Sequence, residues 1–131
     1  MSLGSNRTAA LGAALACLGV GLGAFGAHGL EGALEGAIDR EARLGWWATA
    51  GSYHLLHGVG LVAVGAALGP GSRVPGAVWC LAAGLTIFCG TLYAMALGAP
   101  SVLGAVTPLG GLALIVGWAW LAWSLARPST P

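Results

Sequence analysis

The sequence predicts an all-α integral membrane protein: a four-helix bundle with a short amphipathic surface helix between spans one and two. Three observations carry that prediction. Hydrophobic residues make up 57% of the 131 residues and charged residues only 7%, whereas a soluble domain carries about a quarter charged. The apolar residues gather in four runs, each close to the roughly 20 residues that cross a hydrocarbon core. The four acids all fall between Glu31 and Glu41, outside those runs. This length allows a single domain, 1–131.

The first span covers about 8–28. Gly12, Ala16, Gly19, Gly23 and Ala27 recur at three- or four-residue spacing, a ridge that lets another helix approach closely. Arg7 followed by Ala14-Leu15-Ala16-Cys17 resembles a signal peptide with a lipid-attachment cysteine. The apolar run continues through Phe25, past any cleavage point, so a spanning helix is the better reading. Over about 30–44, Leu30, Leu34 and Ile38 are spaced by four beside a stripe of Glu31, Glu35, Asp39 and Arg43. That pattern predicts a helix lying at the membrane surface, its charges placed to suit the helix dipole.

The second span, about 46–68, opens on Trp46 and Trp47, aromatics that suit the interface. It carries Tyr53, His54 and His57 inside it; such groups within a span are costly and are functional candidates by default. Gly69-Pro70-Gly71-Ser72-Arg73-Val74-Pro75 predicts a turn, and the third span follows over about 76–97. A loop with Pro100 leads to Thr107-Pro108, an expected N-cap and first-turn proline for the fourth span, about 109–126. Four spans put both termini on one face with Arg7, Arg73 and Arg127, against Arg40 and Arg43 on the other. The positive-inside rule then places both termini in the cytoplasm.

Alternating spans also fix depth. His54 lies eight residues past Trp46, about 12 Å in at the helical rise, and Cys89, Thr91 and Tyr93 approach from the same face. Tyr53, His54, Thr91, Tyr93 and Cys89 therefore share one leaflet, with His57 nearer the midplane and His28 at the surface. The other leaflet holds almost nothing polar. Such clustering fits a shallow pocket open to one side, and it fits equally a set of hydrogen bonds that hold the helices together.

What is missing narrows the function. Five arginines and no lysine give a net charge of +1, far from a nucleic-acid footprint. Cys17, Cys80 and Cys89 form no CxxC pair, and read as small buried hydrophobes. No carboxylate lies within a span to carry protons for an exporter, or to orient a hydrolytic nucleophile. The glycine-rich GVGLGAFGAHG lacks the Lys-Ser/Thr ending of a phosphate loop. His54 and His57, three residues apart, can face one side of a helix and are the candidates for a metal or haem site.

Several motifs together carry a resemblance. Gly23-Ala24-Phe25-Gly26-Ala27-His28-Gly29-Leu30, Tyr53 with His57, Phe88-Cys89-Gly90-Thr91-Leu92-Tyr93, Val106-Thr107-Pro108-Leu109-Gly110-Gly111 and Gly117-Trp118 resemble a family of small bacterial inner-membrane proteins. It is the YgdD/YwdK-like family, domain of unknown function 423. The resemblance implies four spanning helices and no assigned activity. It places His28, Tyr53, His57, Thr91 and Tyr93 on motif positions and leaves His54 off the pattern. Cys89 stands where the family has serine, which suits a packing or hydrogen-bonding role.

The expected protein is a multi-pass inner-membrane protein of non-enzymatic structural or small-amphiphile-binding role, the amphiphile being lipid- or quinone-like. Its ligand site would be His28, Tyr53, His57, Thr91 and Tyr93, and Gly19, Gly23, Gly26, Gly90, Gly110 and Gly111 would bring the helices together. A metal- or haem-linked redox subunit and a transporter component are the alternatives. No cofactor is specified. The expected partners are the bilayer, a second copy or another membrane protein, and no nucleic acid.

Overall fold

A computed structural model describes residues 5–68 and 74–127. Helix α1, Ser5–Phe25, runs on through a π-helical turn, Gly26–Leu30, and a final turn, Glu31–Ala33. Helix α2 is Arg40–Ala67, 28 residues, and α3 is Pro75–Ala96. After a 3₁₀ turn, Ser101–Ala105, α4 runs from Thr107 to Ala126. The expected Gly69–Arg73 part of the second turn and the Pro-Ser-Thr-Pro tail lie outside the described residues.

The expected surface helix over 30–44 is not a separate element. Its first four residues end the helical run of α1, its last five begin α2, and 34–39 form the turn between them. Gly36 sits at φ +80°, a left-handed conformation that glycine adopts without steric penalty and that interrupts a helix. The apolar stripe turns inward instead of lying on lipid. Leu30 and Leu34 are buried against Trp47 and Ala96, and only Ile38 is fully exposed.

Helices adjacent in sequence pack side by side, α1 on α2, α2 on α3 and α3 on α4. Each outer pair closes on a reciprocal glycine contact. A Cβ on Gly12 would sit 2.6 Å from the Gly58 carbonyl oxygen, and one on Gly58 2.6 Å from the amide nitrogen of Ala16. In the α3–α4 pair, a Cβ on Gly84 would meet the Gly110 oxygen at 3.0 Å, and one on Gly110 the Gly84 oxygen at 2.9 Å. Within lipid there is no hydrophobic drive between helices, so close backbone approach of this kind supplies the attraction. Between the pairs, Leu61, Val78, Leu81, Leu85 and Cys89 fill the central core with Ala50 and Leu114.

Among the described residues, three stretches, Asn6–Ala33, Pro75–Ala96 and Ser101–Ala126, are long and apolar enough to cross a membrane. Helix α2 is long enough, about 42 Å, but Trp46, Trp47, Tyr53, His54 and His57 lower its apolarity. It nevertheless traverses the same thickness as α1. Its contacts run from Gly65 against Ala9 at one end to Trp47 against Gly26 at the other. Leu18, Val20, Ile87, Leu112, Ile115 and Val116 remain exposed around the bundle, as a lipid-facing surface requires.

Candidate functional site

The polar side chains of the spans form three separate contacts. In the first, His57 is buried and its Nδ1–H donates to the Tyr53 carbonyl at 2.8 Å. The Tyr53 ring stacks on His57, with centroids 5.7 Å apart, and leans on Phe88, while Trp118 of α4 covers the other side of His57. In the second, the hydroxyls of Thr91 and Thr107 meet at 2.8 Å, each also directed at carbonyls of its own chain segment. Thr107 is thus the first residue of α4 and ties it to α3, where an N-cap was expected; Pro108 lies in the first turn as expected.

The third contact is built on α2 and α3. The Tyr93 hydroxyl lies 3.4 Å from Nδ1 of His54, and the Tyr93 ring packs against Trp47 at 4.6 Å. His54 is buried, and its Nε2 has no partner among the described residues. One turn below, the Cys89 thiol donates to the Ala50 carbonyl at 3.3 Å, the role a serine hydroxyl would fill equally well. Tyr53, His57, Thr91 and Tyr93 are thus divided among these contacts, and none of the four is on the walls of the cavity between α1 and α2. His28 is exposed at the π turn, away from all three contacts. Among the described residues no three His, Cys, Asp or Glu side chains come together as a metal-binding group, so His54 and His57 acquire no third ligand there.

That cavity, lying elsewhere between α1 and α2, has a volume of about 680 Å³. Its walls are Gly19, Gly23, Gly26 and Ala27 on one side and Leu44, Ala48, Gly51, Ser52 and Leu55 on the other, with Trp47 between them and Glu31 at the surface end. From Glu31 to Gly19 is twelve residues, about 18 Å of helix, slightly more than one leaflet of the hydrocarbon core. Small residues make the hollow, and the π turn shapes its end. A Cβ on Gly26 would sit 2.5 Å from Cδ1 and Nε1 of Trp47, so glycine there lets that edge of the indole rest against the turn. Trp47 is held in place by its Nε1–H, which donates to the Leu22 carbonyl at 2.9 Å. π turns of this kind recur at functional sites.

Gly19, Gly26 and Gly110 stand at close helix contacts, and Gly111 lies against the Phe88 ring at 3.7 Å. Gly23 and Gly90 do not: a Cβ on either would meet nothing within 4 Å. Gly23 belongs to the wall of the cavity. Sequence reasoning passed over Gly58, Gly65, Gly84 and Gly117, all at tight helix contacts. A signal was present, since Gly51, Gly58 and Gly65 repeat every seven residues, as do Gly110 and Gly117, and two helical turns return a residue to the same face.

Just above the cavity, Arg43 joins two elements. Its Nε–H donates to the Ala96 carbonyl at 2.7 Å, satisfying the C-terminus of α3, and its guanidinium pairs with Asp39 at 3.7 Å. Gly98, at φ +104°, turns the chain away so closely that a Cβ there would touch that guanidinium at 3.4 Å.

Four packed helices, three of them apolar enough to span a bilayer, a lipid-facing apolar exterior and a lateral hollow define a small helical membrane protein. Within that class the chain belongs to a protein family of unknown function, DUF423, whose family model matches residues 22–111. The chain is 44% identical over 112 residues to the UPF0382 membrane protein SH2409 of Staphylococcus haemolyticus, covering 85% of this chain and 88% of that protein. It is 46% identical over 112 residues to the UPF0382 membrane protein YwdK of Bacillus subtilis, covering 82% and 86%. No solved structure matches it.

Proposed function

We propose that this protein is a non-enzymatic, inner-membrane binding protein for a single-chain amphiphile, and that the α1–α2 hollow is its site. The observation that carries the reading is the cavity of about 680 Å³, walled by glycine, alanine and leucine, with a carboxylate at one end. Its size falls within the range of small-molecule sites, which are mostly apolar with few polar groups. An acyl or isoprenoid chain would lie along Gly19, Gly23 and Gly51, with its headgroup near Glu31 at the surface. The polar residues of the spans then serve the scaffold, because His57, Thr91, Thr107, Cys89 and Trp47 all direct hydrogen bonds within the protein. With both termini in the cytoplasm, the headgroup end of the site faces the outer side of the membrane.

Native mass spectrometry on protein extracted in a mild detergent tests this. The wild-type chain should retain an added mass in the lipid range. Gly23→Leu should lose it, because that side chain enters the hollow while its Cβ touches nothing within 4 Å. A bare wild-type monomer, or equal retention by the variant, would overturn the proposal. A doubled chain mass without lipid would show that a second copy fills the hollow.

A further inference from the structure

We infer that the amphiphile bound between α1 and α2 carries a cationic headgroup, an amine or quaternary ammonium, received by Glu31; this rests on the binding reading above. The choice follows from which charged groups line the hollow. Among the described residues, Glu31 is the one charged side chain that does. The two polar side chains beside it are already engaged: the Ser52 hydroxyl donates to the Ala48 carbonyl at 2.9 Å, and the Trp47 indole to Leu22.

The Glu31 carboxylate pairs with Arg40 through Oε1 at 3.1 Å, and its side chain is still 57% exposed. Its second oxygen is therefore open to a donor arriving from the membrane. An anionic headgroup would need a free cation at the mouth. Neither Arg40 nor Arg43 lines the hollow, and Arg43 is held by the Ala96 carbonyl and Asp39.

The surroundings carry the same sign. Residues 31–43 hold Glu31, Glu35, Asp39 and Glu41 against Arg40 and Arg43, four acids less two arginines, an excess of two negative charges. Glu35 and Glu41 make no ion pair among the described residues. Trp47 lines the hollow together with Glu31, so an aromatic side chain stands beside the carboxylate at the mouth. An apolar hollow with an acidic, aromatic mouth is complementary to a positive head on an apolar chain.

The test presents purified protein with three amphiphiles of one chain length: dodecylamine, monododecanoyl glycerol and dodecyl phosphate. Retention is read by native mass spectrometry. The amine should be retained about fivefold more than the neutral glyceride, the scale of one exposed charge pair, and the phosphate least. Glu31→Gln should bring amine and glyceride to parity, and Arg40→Gln should raise amine retention by freeing the carboxylate. Both substitutions lie at the surface, and circular dichroism checks that the helices persist. If glyceride and amine bind equally to the wild type, or the amine preference survives Glu31→Gln, the headgroup inference is wrong while the hollow remains a binding site. If none of the three is retained, the binding reading itself falls.

Discussion

Substituting Gly58 with alanine should separate α1 from α2 and cost the bundle much of its stability. The added Cβ would stand 2.6 Å from the amide nitrogen of Ala16, 3.0 Å from its Cα and 3.1 Å from the Gly12 carbonyl oxygen. All three are backbone atoms, so no side chain can swing aside. To restore ordinary contact near 3.5 Å, α1 must retreat by about 1 Å at the crossing. Overpacking of this kind costs about 1–3 kcal/mol, and the retreat also weakens the Gly65–Ala9 and Gly19–Leu55 contacts on either side. The control is Gly90→Ala, on an exposed face with nothing within 4 Å, which gains up to about 1 kcal/mol from helix propensity alone. The assay is reversible unfolding of both variants in mixed micelles with rising dodecyl sulfate, followed by circular dichroism. Gly58→Ala should unfold at lower dodecyl sulfate than wild type, and Gly90→Ala at the same or higher. Coincident transitions for the two variants would refute the glycine-contact argument.

Three further outcomes follow from the same geometry. Arg43→Met removes the charged donor to the Ala96 carbonyl and should cost about 1.5–3 kcal/mol in the same unfolding assay; Arg43→Lys should recover only part of it. Thr91→Val loses the hydroxyl contact with Thr107 and should cost about 0.6–1.7 kcal/mol, whereas Thr91→Ser should stay near wild type. A cysteine replacing exposed Glu35 reports the proposed orientation: cytoplasmic termini require it to react with a membrane-impermeant maleimide in intact cells, and labelling only after lysis would reverse the orientation.

Much of this fold could be read from composition and spacing. Four apolar runs separated by charge and by Gly-Pro clusters marked the four helices, although α2 begins at Arg40, six residues before the expected start. The residues from Leu30 to Leu44 misled because a four-residue apolar repeat looks the same whether it faces lipid or protein. Here Leu30 and Leu34 cover Trp47, and Gly36 supplies the turn. Helix α2 shows a different limit. Its histidines and aromatics lower its apolarity, and they are accommodated because Trp47, His54 and His57 turn toward α1, α3 and α4.

The site was less legible than the fold. Depth along each helix can be counted, and it assigned His54, Tyr93 and Cys89 to one leaflet. Rotation about each axis cannot be counted, and rotation decides which groups meet. His54, off the family's pattern, is the group that touches Tyr93, while Tyr53 and His57 turn toward Phe88 and Trp118. The hollow is formed by side chains that are absent, at Gly19, Gly23 and Gly51. Those positions acquire meaning only once α1 and α2 are set side by side.

Photoaffinity labelling tests the central claim most directly: a photoreactive alkyl amine is added to the protein in lipid nanodiscs and its attachment sites are mapped by peptide mass spectrometry. If the α1–α2 hollow is the site, labels concentrate on residues 19–27 and 44–55 and are displaced by excess unlabelled amine. Labels spread without competition over lipid-facing positions such as Ile87, Leu112 and Ile115 would contradict it.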